Sequence, residues 1–261
     1  MRLTRCLRLA AAVSCGVLAL PAFAQERGLS FSITGGAGVA PDYFGSDSVS
    51  VGPAGSFGFG GLRFGALALG TLDTPEQFAP GFGPYGAFRF IGKRDGKDEL
   101  EGMDDVKASV EIGAGLQYTE DFWQVFGELR YGAIGHNAVA GELGANVIFR
   151  GESGLVLNAG PRAEFGNRRF NRTYFGVSEA EATASQDAGG SLTAFSPSAG
   201  FYSVGVEAGA YQPLSADWGL SGSVRFDRLR GDAADSPIVQ QGSRNQISAE
   251  IGLTRHFNLR F

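Results

Sequence analysis

Between Val106 and Tyr118 the chain alternates without a break. Val106, Ala108, Val110, Ile112, Ala114, Leu116 and Tyr118 are apolar or aromatic, and Lys107, Ser109, Glu111, Gly113, Gly115 and Gln117 between them are polar or glycine. Period two sends the two sets to opposite faces of a strand, whereas a helix needs apolar residues three and four apart. The run is also long. An ordinary strand has about five or six residues, and one that crosses a bilayer at a tilt has about nine to eleven. A chain that repeats this pattern is confined to a strand-built wall with one wet and one apolar face.

The pattern does repeat. Leu155 to Phe165 sets Asn158, Arg162 and Glu164 on its polar face, and Trp218 to Phe226 sets Ser221, Ser223 and Arg225 opposite its apolar residues, with Asp227 next in line. Gln246 to Phe261 collects Ile247, Ala249, Ile251, Leu253, Phe257, Leu259 and Phe261 on one face. Further candidate strands are Leu29 to Gly38, Val49 to Phe59, Leu62 to Gly70, Phe82 to Gly92, Phe122 to Ala133, Ala140 to Arg150 and Gly200 to Gln212. A bacterial barrel with both ends in the periplasm needs an even number of strands. About ten or twelve are therefore expected, the ambiguity lying between Val49 and Phe90, where Gly and Pro punctuate every segment. The fold class expected is all-β: a closed antiparallel transmembrane β-barrel.

Composition excludes the alternatives. Charged residues are only 19%, and glycine reaches 41 of 261 residues, which fits neither a disordered chain nor a coiled coil. Nothing after residue 25 approaches the run of about 20 apolar residues that a transmembrane helix requires. Arg2, Arg5 and Arg8, the apolar stretch Leu9 to Leu20 and Ala22-Phe23-Ala24 read as a secretory signal peptide over residues 1–24, with the barrel domain over 25–261. Both cysteines, Cys6 and Cys15, fall inside that leader, so the mature chain would have neither disulfides nor thiol ligands. Losing three arginines takes the formal net charge from −5 to −8, a poor balance for binding nucleic acid.

The polar faces carry Lys107, Glu111, Glu128, Arg130, Arg162, Glu164, Arg225 and Asp227, a balanced set that suits cross-lumen ion pairs and a narrow interior. Tyr118, Trp123, Tyr131, Tyr202, Tyr211 and Trp218 stand near strand ends, where an interfacial girdle would hold them. Short turns at Glu120-Asp121, Gly151 to Ser153 and Pro213 to Ala216 belong on the periplasmic side, and the long segments Lys93 to Asp105, Asn167 to Ala199 and Arg230 to Arg244 outside.

Three sequence words carry a family resemblance. Gly35-Gly36-Ala37-Gly38-Val39-Ala40-Pro41-Asp42-Tyr43-Phe44-Gly45-Ser46-Asp47 resembles the opening of the MipA/OmpV family of Gram-negative outer-membrane proteins. Tyr174-Phe175-Gly176-Val177-Ser178 and Arg228-Leu229-Arg230-Gly231-Asp232-Ala233-Ala234-Asp235-Ser236-Pro237-Ile238-Val239 resemble later elements in the same order, and Gly135-His136 resembles another. The resemblance implies an outer-membrane barrel. Contact with outer-membrane lipid and lipopolysaccharide is expected of it; one family member is described as an adaptor between a lytic transglycosylase and a murein synthase, and others as osmotically regulated outer-membrane proteins or adhesins. Outer-membrane barrels also resemble one another in a terminal aromatic with alternating apolar residues before it, which the barrel-assembly machinery pairs with. Here Ile251, Leu253, Phe257, Leu259 and Phe261 fit, and Arg255 departs.

Catalytic chemistry has little to draw on. His136 and His256 are over a hundred residues apart, and no motif selects a serine to join either. His256 falls on the polar face of the last segment, where a hydrogen-bonded lumen histidine is expected. Asp95, Asp98, Glu99, Glu101, Asp104 and Asp105 lack the ligand spacing of an EF-hand and read as a solvated acidic loop. Gly231 to Val239 reads as a turn closed by Ser236-Pro237. No enzyme activity, cofactor or metal is expected. The function expected is an outer-membrane scaffold linking murein-remodelling enzymes, with a small channel for polar solutes as the alternative.

Overall fold

Each long alternating segment becomes a strand. In the computed structural model, which describes residues 27–70, 72, 78 and 80–261, these are β1 (Gly28–Pro41), β2 (Val49–Phe64), β3 (Leu67–Gly70), β4 (Gly81–Ile91), β5 (Ser109–Thr119), β6 (Trp123–Ile134), β7 (Val139–Arg150), β8 (Val156–Gly166), β9 (Gly200–Pro213), β10 (Trp218–Leu229) and β11 (Asn245–Arg260). The expected signal peptide lies outside the described residues. The strands form one antiparallel sheet in the order β3-β2-β1-β11-β10-β9-β8-β7-β6-β5-β4. Pairing of the first long strand with the last sets Phe31 opposite Phe257, their rings stacked 4.9 Å apart, and leaves no free edge there. At the remaining seam β4 lies beside β2, so closely that a Cβ on Gly86 would stand 3.2 Å from the Phe57 ring. The result is a nearly closed barrel.

The odd strand count has a local cause. The expected strand Leu62 to Gly70 is divided: Leu62 to Phe64 finish β2, and the chain reverses at Gly65, whose φ of 60° suits glycine, into the four-residue β3. A strand that short does not cross a membrane. The other ten described strands have 11 to 16 residues each, and these are the crossing set.

The distribution of side chains is the reverse of a water-soluble protein. Ile112 is 54% exposed while its neighbour Glu111 is fully buried, and Leu129, Val147, Val206, Val224 and Ile251 are likewise turned outward. An apolar exterior around a charged interior is stable only where the surrounding solvent is hydrocarbon. Tyr118, Tyr131 and Trp218 are exposed near strand ends, and Tyr118 packs against Trp123 with ring centroids 5.5 Å apart. Tyr202 and Tyr211 correct the expected girdle, because both are buried inside. A register shift between Glu164 and Phe165 at the head of β8 puts Phe201 opposite Phe165. The exposed position there belongs to Phe201, and Tyr202 points inward.

The three short turns lie at one end and the long segments at the other. The long segments are not open loops. Asn167 to Ala199 folds into α1 (Arg168–Phe175) and α2 (Glu179–Asp187), Arg230 to Arg244 into α3 (Gly231–Asp235) and α4 (Pro237–Gln241), and Lys93 to Asp105 carries one 3-10 turn at Asp98–Leu100. Asn167 caps α1 by accepting from the Phe170 amide, and Ser178 with Glu181 forms a capping box on α2. Ser236-Pro237 starts α4, with Ser236 as its cap and Pro237 in the first turn, where its missing N–H costs nothing. The expected turn closure at Ser236-Pro237 is thereby corrected.

Candidate functional site

Two joined layers occupy the interior of the described barrel: a lumen of paired charges and a cap of packed helices above it. The lumen layer follows from strand register. Glu128 of β6 stands opposite Glu142 of β7, and Glu142 opposite Glu164 of β8. Like charges directly across a ladder repel, so this acidic row requires cations between its members, and arginines supply them from other walls. Arg225 on β10 donates to Glu142 at 2.7 Å although β8 and β9 separate their strands, so the contact crosses the interior. Arg89 on β4 reaches Glu164 on β8 at 2.8 Å and the Tyr202 hydroxyl at 2.9 Å. Arg130 binds Glu111 at 2.9 Å and also Glu128, and Arg162 binds Glu207 at 2.9 Å. Arg225 further holds Asp227 at 2.6 Å.

Of the residues expected to face the lumen, Glu111, Glu128, Arg130, Arg162, Glu164, Arg225 and Asp227 stand in this network. Lys107 does not. It precedes β5, because Val106 is tied to Arg94 by a bridge outside the barrel wall, and it is exposed. Arg89, Glu142 and Glu207 belong to the network and were missed by the sequence reading. The signal was present in the same alternation: Arg89 sits between Phe88 and Phe90, and Glu207 between Val206 and Ala208. With them included, the charge balance expected from sequence shifts toward acid, four arginines facing six carboxylates among the described residues of the network.

One corner looks like a nucleophile with its base. Ser109, Glu111 and His136 meet beneath the cap, all buried. The contacts argue otherwise: His136 Nδ1 accepts the Ala138 amide at 3.0 Å, so Nε2 carries the proton and donates to Glu111 at 3.0 Å. The Ser109 hydroxyl oxygen accepts from the His136 backbone amide at 3.3 Å and from Tyr174 at 3.1 Å. Neither ring nitrogen is available to take a proton from the serine. His256, on the far strand, bonds the Tyr211 hydroxyl at 2.7 Å.

The cap brings the three sequence words together. Phe44, after Pro41 and Tyr43, packs its ring within 5.1 Å of Tyr174, 5.6 Å of Phe175 and 5.9 Å of Tyr202. Gly45 has φ 99° and lies so close to Val239 that a Cβ there would meet its side chain at 2.6 Å. Gly45 also donates its amide to Gln246 at 3.1 Å, and Ser46 is buried beside it. Ser236 donates to the Phe175 carbonyl at 2.7 Å. Gly176 follows α1, and Val177 pairs with Phe195. Asp232 accepts the Ser198 amide at 2.7 Å, and Asp235 pairs with Arg244 at 3.6 Å. Below this cluster Arg89 lies 5.3 Å from the Phe44 ring and so joins cap to lumen.

The acidic loop is tied into the same body. Tyr43 donates to Glu99 at 3.0 Å, and its hydroxyl is held well above its ordinary range by burial and by that carboxylate. Burial pushes the Arg94 guanidinium below its ordinary value, and it donates to the Tyr174 carbonyl at 3.2 Å. Among the described residues no group of three or more His, Cys, Asp or Glu side chains is disposed to hold a metal.

At the end of β11, Ile251, Leu253, Leu259 and Phe261 are exposed on the outer face, and Phe257 shares it. Arg255, the one departure, is sandwiched 5.2 Å from the Trp218 ring and 5.2 Å from the Phe257 ring. Stacking on two aromatics near the strand ends is how an outward arginine is accommodated there.

Residues 33–257 match the family described as MltA-interacting protein MipA. The chain is 28% identical over 167 residues to MltA-interacting protein of Escherichia coli K12, covering 62% of this chain and 63% of that protein. It is 27% identical over 161 residues to outer membrane protein OmpV of Vibrio cholerae, covering 60% and 59%. It thus spans under two thirds of the length of these relatives. Among solved structures, the COG4313 outer membrane channel from Pseudomonas putida F1 aligns over 94% of this chain and all of its own at 10% identity, with a TM-score of 0.44. OprG from Pseudomonas aeruginosa aligns over 89% and 97% at 12% identity, with a TM-score of 0.27.

Proposed function

Because the chain belongs to the MltA-interacting protein MipA family, we propose that it is a non-enzymatic outer-membrane scaffold that holds murein-remodelling enzymes, a lytic transglycosylase and a murein synthase, beneath the membrane. The observation that carries this over a solute channel is the set of ion pairs tied through the β4–β10 part of the interior beneath a helical cap. Ion pairs such as Arg225 with Glu142 and Arg89 with Glu164 span that part, and the cap packs on top. A channel needs sites that a solute can enter and leave. Here each network arginine is already bound to a carboxylate.

Murein lies on the periplasmic side, so the partner surface in this reading is the short-turn end, where Phe122 and Leu214 are exposed. Crosslinking of intact envelopes followed by affinity recovery of the protein tests the proposal. Co-recovery of a transglycosylase or murein synthase, lost with Phe122→Asp and Leu214→Asp together, supports it. Recovery of neither enzyme contradicts it.

A further inference from the structure

The arginines at the two ends of the barrel are used differently. At the short-turn end they are occupied: Arg63 donates to the Leu69 and Gly70 carbonyls, Arg150 to Phe78 and Asp121, and Arg255 lies between Trp218 and Phe257. At the capped end five arginines gather around the head of β9. Arg168, Arg169 and Arg172 follow β8 on α1 and line a shallow groove of about 460 Å³ with Thr173. Arg228 ends the outward row of β10, and Arg230 follows it, with its amide on the Tyr202 carbonyl at 2.9 Å. All five are exposed. Arg169 uses only Nε, on the His136 carbonyl, and Arg172 leans on the Ser196 hydroxyl oxygen. The side chains of Arg168, Arg228 and Arg230 have no hydrogen bond or ion pair among the described residues.

Unpaired arginines in a chain of net negative charge are notable because of where they sit. Directly below them on the outer face are Phe165 and Phe201, in edge contact at 5.7 Å, and exposed Phe226. An aromatic rim with cations just above it marks the depth where acyl chains give way to headgroups. The β8 and β10 heads are two strand spacings apart, about 10 Å, so α1 and the end of β10 bring arginines to both sides of the β9 head. The local acids are engaged, Asp232 by the Ser198 amide and Asp235 by Arg244.

We propose that this rim is a binding site for the phosphorylated lipid A headgroup of lipopolysaccharide, with guanidiniums from α1 and β10 taking its phosphates by paired N–H donors. The assignment rests on the reading that the capped end faces outside. It makes the β8–β10 sector the side of the barrel that is fixed to the outer leaflet.

The test uses the full chain in nanodiscs, with titration of lipopolysaccharide, of its dephosphorylated form and of phosphatidylglycerol. The variant is Arg168→Glu/Arg228→Glu/Arg230→Glu, which removes no hydrogen bond or ion pair among the described residues, with the matching lysine variant as control. Lipopolysaccharide is expected to bind the wild type in preference to both other lipids. The glutamate variant should bind it at least on the order of a hundredfold more weakly, roughly fivefold for each of the three arginines removed, while lysine retains most of the affinity. Equal affinity of wild type and glutamate variant would overturn the proposal, as would equal binding of the dephosphorylated form. Phosphatidylglycerol binding as tight as lipopolysaccharide would overturn the lipid A assignment and show a site that takes any anionic headgroup. Recovery of the murein enzymes is an independent readout, so the scaffold reading stands or falls separately.

Discussion

Arg225 on β10 and Glu142 on β7 meet at 2.7 Å across the inside of the barrel, over the two strands that lie between them. The pair is one tie in a set that joins opposite walls. Removing Arg225 leaves the Glu142 carboxylate, already opposite two other glutamates, without its nearest cation. Arg225→Ala is therefore expected to destabilise the refolded barrel by about 3 kcal/mol, the scale for breaking one side of a largely buried pair. Urea unfolding from lipid vesicles reads this directly, and a change under about 0.5 kcal/mol would show the network to be dispensable.

Gly45 and Val239 test the cap separately from the barrel. Alanine at Gly45 adds a methyl group 2.6 Å from the Val239 side chain at a φ of 99°, so the segment must move. A loss of about 1 to 3 kcal/mol is expected, confined to the cap. Limited proteolysis should cut Gly45→Ala within residues 92–108 or 167–199 while the barrel core keeps its heat-dependent electrophoretic mobility.

Acid should loosen the same cap by a defined route. Burial raises the Glu181 carboxyl, but hydrogen bonds from Ser178 and the Asp104 amide, with Arg94 nearby, outweigh it and hold the group below its ordinary value. A depressed carboxylate contributes stability that is fully present above its ordinary pKa of about 4.3 and is lost as the pH falls through the lower folded value. Protection of the Asp104 amide against hydrogen exchange should thus hold at about pH 6 and fall at about pH 3. Glu181→Gln should show the low protection at both.

The terminal strand makes a prediction about assembly. Phe261, Leu259, Leu253 and Ile251 form the exposed end of β11, whose other edges pair with β1 and β10. Deletion of Phe261 is expected to reduce outer-membrane insertion and leave protein in the periplasm, measured by fractionation. Normal insertion would mean that this end does no more than close the wall.

Much of the wall was legible because alternation is a local signal. Val106 to Tyr118 revealed β5 to within three residues at its start, where Val106 is drawn off by Arg94. What alternation could not reveal is where a strand reverses early, as at Gly65, or where a bulge changes which residue faces inward, as at Tyr202. Both depend on the partner strand. The cap was hidden for another reason. Its helices are short, and Phe170, Tyr174 and Phe175 are buried against Phe44 and Tyr202, residues brought near only by the curling of the sheet into the barrel. The sequence words at Tyr43, Tyr174 and Ser236 were visible, but their meeting in one cluster was not.

Arg89, Arg130, Arg162 and Arg225, each paired with a carboxylate, tie the lumen together beneath the helical cap. Planar-bilayer recording of the refolded, heat-modifiable protein reads whether that network and the cap close the lumen to ions. No steady conductance above the bare bilayer is predicted, with small steps appearing when Arg225→Ala or Gly45→Ala opens the interior. Discrete, long-lived ion-conducting steps from the unaltered protein would mean that an open path runs past the network and that the barrel is a channel.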